Sequence, residues 1–462
     1  MTVNRVVHNQ QRVIQWVIVI GVMLLSLSVG YFLPTEYQIL IMLLTLAAGA
    51  FIINILYPPI GLLVLIFSGL LIDFEIKTST STSINIVVIL LPLFIGIWLI
   101  DMVVRQHRIR LVPSRVNPPL VTLAVISILA FAIGQFNWFL YARQAPIFSQ
   151  LGGLAIILLS AGAFVFTANI IPEIKWLERL TWLFIIIGSI ILFIRFVPVF
   201  GRLAGNLVPS GATGSVFWIW LCVIPFSQFL VNRKLHLFWR LIFLGLVVLL
   251  LYEVMVRGNS WKSGWIPAVA AIGVVIWLHF RKLRVLLGLG GFVIIWFVIT
   301  EAIQTDQYSY ITRLEAWKII FEEIVKVNPI LGLGPSNYRF YTPLFPIMGY
   351  SVEFNSHNTY IDLLAQIGFL GLFAFMWLVW ELFRIGWRLL NAVTESFSHA
   401  YLCGALGGLV GMLIAGMLGD WILPFVYNVG LRGFRASVIG WIFLGGIVVI
   451  DKLNPAVRSN RS

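Results

Sequence analysis

The sequence predicts an all-α fold, a polytopic transmembrane helical bundle of about 12–14 helices with one large outer loop that contains an amphipathic helix. Three observations predict it. Hydrophobic residues make up 60% of the chain and charged residues only 11%, against about 25% charged in soluble domains. Apolar runs of about 20 residues recur along the whole length, as a bilayer core of about 30 Å requires. The runs show no period-2 alternation, so their backbone hydrogen bonds close within helices and not around a barrel.

Fourteen candidate helices follow in order: 13–33, 37–57, 59–73, 84–104, 118–136, 147–168, 176–196, 213–231, 237–256, 264–280, 284–302, 358–383, 399–418 and 434–451. The first follows Arg5 and Arg12, as a signal peptide would. It lacks a small-x-small cleavage site and a second span follows at once, so it reads as a transmembrane helix. The third follows Pro58-Pro59 and reaches Asp73 after about 14 apolar residues, which suits a re-entrant or tilted piece. Cys222 and Cys403 both lie inside apolar runs and read as small buried core residues, not a disulfide or metal pair. The chain thus divides into helices 1–11 (1–301), an outer loop (302–357) and helices 12–14 (358–462).

The charge pattern sets the topology. With both termini inside, 19 of the 31 Lys and Arg residues fall in cytoplasmic segments, the positive-inside pattern. The net charge of +13 is therefore mostly a topology signal and argues against nucleic acid as a partner. The outer side is the informative exception. Arg257, Lys262, Arg313, Lys318, Lys326 and Arg339 cluster between 257 and 339 on a face where bases are normally depleted. The loop from Glu301 to Ser356 also holds six acids against four bases, so an anion site must come from a few converging residues.

Within that loop, Tyr310–Val327 reads as an amphipathic helix, with Leu314, Trp317, Phe321, Ile324 and Val325 near one face. Asn328-Pro329 ends it. A turn-rich stretch runs from Gly332 to Tyr338. Asn355 or Ser356 would serve as N-cap for the next helix, which starts near Thr359.

Of six histidines, His357 alone faces outward, at the start of a helix. The positive end of a helix dipole disfavours the imidazolium there, leaving a neutral ring that can take a proton. The plainer reading is a polar cap at a membrane interface. Arg313 is in turn either an interfacial cation beside Trp317 or part of a phosphate clamp. Arg257 and Lys262 bracket a tight outer turn and carry the same two readings. No phosphate-binding loop indicates an ATP-driven step, and no His/Cys/carboxylate cluster suggests a metal. Asp73 and Glu75 form an outer acidic pair that could bind a divalent ion, although two exposed acids in a loop read more plainly as solvated. A secondary transporter or polysaccharide exporter of the bacterial envelope is the alternative, although few ionisable residues fall mid-span.

Four motifs in order carry a resemblance. They are Arg313-Leu314-Glu315-Ala316-Trp317, then Asn328-Pro329 through Gly332-Leu333-Gly334 to Asn337-Tyr338, then Ser356-His357-Asn358-Thr359, then Gly368-Phe369-Leu370-Gly371. Together they resemble the O-antigen ligase and O-antigen polymerase superfamily of bacterial membrane glycosyltransferases. The resemblance implies a GT-C-type fold in the cytoplasmic (inner) membrane, with cytoplasmic termini. It implies a glycan donor on undecaprenyl diphosphate and a glycan, lipid or protein acceptor. Transfer would need no metal and no cofactor. His357 and Arg313 match the family's catalytic histidine and arginine, and Trp317, Gly332, Gly334, Asn337, Tyr338 and Asn358 would support them. A further family arginine, usually in Ser-Arg, is matched by Lys262 in Trp261-Lys262-Ser263, so either Lys262 or Arg257 would hold the diphosphate. Gln366 stands where many members carry an acid.

Overall fold

The computed structural model describes residues 57–78, 82–197, 207–258, 261–291 and 307–454, with positions 21, 49 and 300. The candidate helices at 13–33 and 37–57, and all but the start of 284–302, lie outside them. Among the described residues, eight helices are long and apolar enough to cross a membrane and three more are apolar but shorter. The fold is the all-α polytopic bundle that the composition predicts.

The chain forms two compact units. The first comprises residues 1–61 and 94–109. In its described part the last turns of a helix carry an Asp101–Arg105 pair at 3.2 Å, one turn apart. The second unit, residues 62–93 and 110–462, contains both pockets described below.

Helix α1 (Pro58–Leu71) is 14 residues long, about 21 Å, and falls short of a full bilayer core. A two-stranded antiparallel hairpin follows, β1 (Glu75–Lys77) and β2 (Ser83–Asn85), with Ile76 opposite Ile84. Three-residue strands are too short to print an alternating pattern, so the sequence reading has no hairpin here. Then come α2 (Ile86–Gln106), α3 (Asn117–Ile133), α4 (Ile147–Ile170), α5 (Ile174–Phe196), α6 (Ser215–Val231), α7 (Leu237–Leu251) and α8 (Lys262–His279). Proline at the start of α3 suits a first turn, whose N–H groups have no partner in the helix.

The large loop carries α9 (Gln307–Ile319) and the short α10 (Tyr338–Tyr341). The chain ends with α11 (Thr359–Ala392), α12 (Ser396–Leu418) and α13 (Gly430–Leu453). The expected span 358–383 continues to Ala392. Arg384 and Arg388, read as loop residues, sit on its last turns, paired with Glu381 at 3.5 Å and Asp451 at 2.6 Å. Charge at a helix end beyond the apolar core does not stop the helix when partners and long stems accommodate it.

Helix α13 is buried along its whole apolar window and packs on α4, α6 and α12. Trp220 of α6 stacks on Phe443 of α13 at 5.1 Å. Gly408 of α12 makes room for that indole, since a Cβ there would come within 2.8 Å of the ring. Small residues admit such close approaches where water offers no driving force between helices. Both cysteines are free and buried in this core.

Candidate active site

The large loop folds onto the first turns of α11 around its own small core. Ile320, Ile324, Val325, Leu333, Tyr338 and Tyr341 bury against Ile361, Leu364, Ala365 and Phe425. The expected apolar face of α9 is partly corrected. Ala316, Ile320, Ile324 and Val325 are buried, whereas Leu314 and Phe321 are exposed. The six residues that follow α9, Ile320–Val325, form a wider π-helical turn, which changes the phase of the pattern.

The turn after α9 is locked by three glycines. Gly332, Gly334 and Gly368 have φ of +69°, +92° and +69°. A Cβ on Gly332 would lie 2.5 Å from the Gln366 carbonyl carbon, and one on Gly368 would lie 2.2 Å from the Ile330 oxygen. Gly368 breaks α11. The turn answers the freed backbone groups: Leu333 N donates to Ala365 O (3.0 Å), Gly334 N to Gln366 O (3.0 Å) and Phe369 N to Pro329 O (2.8 Å). Gln366 Oε1 accepts from Ser336 N at 2.8 Å, a task its amide oxygen performs as a carboxylate would. Asn337 is wholly buried. It donates to Gly134 O and Leu333 O and accepts from Ala145 N, which ties the loop to the end of α3.

This scaffold holds Ser356 on every side. Trp317 Nε1 donates to Ser356 O (2.7 Å), Ser356 N donates to Tyr338 Oη (3.0 Å), and Ser356 Oγ donates to Asp362 Oδ1 (2.7 Å). Tyr338 Oη donates to the same Asp362 oxygen at 2.5 Å. Burial, then the Asp362 charge, pushes the Tyr338 hydroxyl well above its ordinary value, so it stays a donor. The expected cap at Asn355 or Ser356 is corrected to Asn358. Its side chain accepts from Tyr360 N and Ile361 N, while Ser356 Oγ is engaged with Asp362 and with Asn358 N.

Between the clamped Ser356 and the capping Asn358, His357 is held at φ +49°, a left-handed conformation rare outside glycine. Its Nδ1 meets Asn428 Nδ2 at 3.2 Å, and the same amide nitrogen donates to Asp420 Oδ1. An amide nitrogen only donates, so Nδ1 presents its lone pair and a neutral ring carries its proton on Nε2. Asp420 is wholly buried and also accepts from Phe425 N (2.7 Å). Burial raises its pKa, against these hydrogen bonds.

His357 and Arg313 line one pocket of about 340 Å³, with Arg339, Glu353, Tyr427 and Asn428 among its other walls. Arg339 is anchored: it pairs with Glu353 (3.1 Å), donates to Tyr427 O (2.6 Å) and lies over the Tyr427 ring. Burial, then the charges of Arg313 and Arg339, lowers the pKa of His357 from its ordinary value. The pocket is therefore a cationic cleft with a neutral imidazole in its wall.

Neither Arg257 nor Lys262 lines this pocket. Arg257 pairs with Glu253 (2.8 Å) and donates to the carbonyls of Arg195 and Phe196 at the end of α5. Lys262 opens α8. Asn259 and Ser260 of the turn between them lie outside the described residues. Glu75 of the outer acidic pair is tied to Arg432 at 2.8 Å and Ser83 Oγ at 2.8 Å. Sequence reasoning missed Arg339, Asp420, Tyr427 and Asn428 as site residues. Arg339 stood among the outer bases. An acid followed by aromatics and an Asn in the outer loop before α13 was the signal for the rest.

A family model described as O-antigen ligase matches residues 245–376. The match contains Arg257, Lys262 and every pocket residue up to His357, and it bears out the resemblance carried by the four motifs. Tyr427 and Asn428 lie beyond it. No curated protein matches the chain.

Proposed function

We propose that this chain, whose residues 245–376 carry the O-antigen ligase domain, transfers or polymerises a glycan linked to undecaprenyl diphosphate at the outer face of the bacterial cytoplasmic membrane. One observation carries the reading: Arg313 and His357, 44 positions apart in sequence, line a single cationic pocket above the apolar helices. Arg313 binds the diphosphate and stabilises the charge that develops as it leaves. Arg257, Lys262, Lys318, Lys326 and Arg339 are the other cations expected on the outer side in the matched segment, and of these only Arg339 lines the pocket.

The acceptor hydroxyl attacks the anomeric carbon with inversion. The bond from that carbon to the diphosphate oxygen breaks, its electron pair leaves with the diphosphate, and the hydroxyl proton passes to the departing diphosphate, or to His357 Nε2 in the other tautomer. His357 acts on the hydroxyl. With Nδ1 engaged by Asn428, it offers Nε2–H as a donor that orients the acceptor oxygen or the departing phosphate. Direct proton abstraction at Nε2 requires the other tautomer, reached by turning the Asn428 amide over.

The test is complementation of a strain lacking its own enzyme of this class, with lipid-linked and transferred glycan resolved on gels. Wild type restores transfer. His357→Ala and Arg313→Ala reach the membrane and fail. His357→Gln, which keeps an N–H donor, retains measurable transfer if His357 positions, and fails if it is the base. Normal glycan from the two alanine variants removes the assignment. The pool that accumulates separates the two activities: single repeat units mark a missing polymerase, whereas long chains left on the lipid mark a missing ligase.

A further inference from the structure

A second pocket of about 310 Å³ opens between the β1–β2 hairpin and the start of α13. Lys77, Thr78, Thr82 and Ser83 of the hairpin line it, together with Val426 and the segment from Asn428 to Arg432. Asn428 belongs to both pockets, so the two adjoin through the side chain that holds His357.

The charge in this pocket is ordered. Arg432 is fixed through Nε alone, which donates to Glu75 Oε2 (2.8 Å) and Ser83 Oγ (3.2 Å). Its two terminal nitrogens have no hydrogen-bond partner among the described residues. Lys77 is exposed and has no ion pair among the described residues. Glu75 is already held by Arg432 and lies 4.0 Å from the buried Arg435, which itself donates to Ile72 O and Phe74 O. The acids of this corner, Asp73 and Glu75, thus face three bases, Lys77, Arg432 and Arg435. The surplus is positive, and the two bases that line the cavity keep donors for a ligand. A guanidinium fixed at Nε with free terminal N–H groups suits a phosphate oxygen pair, and a lysine opposite supplies a point charge. Asn428 Oδ1 has no hydrogen-bond partner among the described residues, which leaves an acceptor for a hydroxyl at the boundary.

We infer that this second pocket is the acceptor subsite and takes a phosphorylated saccharide, its phosphate between Lys77 and Arg432 and its reacting hydroxyl turned past Asn428 toward His357. The inference rests on the transferase reading proposed above. It names an anionic sugar as acceptor and places donor and acceptor phosphates in separate pockets.

The test uses the full-length protein in nanodiscs and three probes: N-acetylglucosamine, N-acetylglucosamine 1-phosphate, and farnesyl diphosphate as a soluble stand-in for the donor's prenyl diphosphate. Binding is read by calorimetry or saturation-transfer NMR. The sugar phosphate binds at least about tenfold more tightly than the sugar. Lys77→Glu weakens the sugar phosphate by about tenfold or more and leaves farnesyl diphosphate unchanged, and Lys77→Gln does so to a lesser degree. Arg313→Ala gives the opposite pattern. Absent or equal binding of the two sugars overturns the inference, as does indifference of the sugar phosphate to Lys77→Glu. A single variant that weakens both anions overturns it too, because the pocket then serves the donor. Failure of the transferase reading shows elsewhere, as active His357→Ala and Arg313→Ala in complementation.

Discussion

His357 owes its position to its neighbours more than to itself. Ser356 before it is gripped by Trp317, Tyr338 and Asp362, and Asn358 after it caps α11, so the histidine backbone has one place to go. Its protonation follows from the same surroundings. Burial lowers the pKa below the ordinary 6.5, and the Arg313 and Arg339 charges lower it further, because protonation would add a third cation to the cleft. The neutral ring therefore persists as pH falls through 6.5, and transfer declines only at lower pH. Arg339→Gln removes one cation and moves that acidic limb back toward 6.5. Initial transfer rates between about pH 5 and pH 8 measure it. A limb that stays in place in Arg339→Gln uncouples the rate from the charge on His357. At this scale His357 and Arg313 were legible because each sits in a short motif. Asn428 was not, because it lies 71 positions from the histidine it touches and nothing local marks it.

The outer turn and the broken helix α11 form one device. Gly368 interrupts the helix, and the backbone groups released there are satisfied by residues 329–334, so loop and helix hold each other. The spans themselves were legible from hydropathy, and so were the glycine motifs. Their purpose was not, because a G-x-x-G inside an apolar run reads as continuous helix until a positive φ is seen. The hairpin was hidden for want of length, and the cap was misplaced because Asn355, Ser356 and Asn358 could each cap. A paired substitution separates strain from contact. Gly349 also has positive φ, +82°, but open space around its missing Cβ. Gly349→Ala carries conformational strain alone, about 1 kcal/mol. Gly368→Ala adds a collision with the Ile330 carbonyl, so it lowers the melting temperature further, exposes the loop to protease and abolishes transfer. Equal melting temperatures for the two variants would mean that the turn does not depend on the break.

Across the whole molecule, the helical bundle comes from a bulk property, hydropathy, which is why it was legible without any contact being known, and the basic charge predicts its sidedness. Helix α11 links the two sides. Its 34 residues would extend about 51 Å as one rod, more than the bilayer core of about 30 Å. The break at Gly368 resolves the excess: the first nine residues, with the Asn358 cap and Asp362, support the loop that holds His357, and the remainder is left to cross. Ser351 and Thr394, both exposed, must then lie on opposite sides of the membrane. Cys222 and Cys403 are buried in apolar helices and give little background, which Cys222→Ala and Cys403→Ala remove. In spheroplasts, Ser351→Cys on that background reacts with a membrane-impermeant maleimide, and Thr394→Cys reacts only after permeabilisation. The reverse pattern would put the His357 pocket in the cytoplasm, where the Arg and Lys excess would no longer obey the positive-inside pattern. Transfer of a lipid-linked glycan at the outer face would then have no site in this chain.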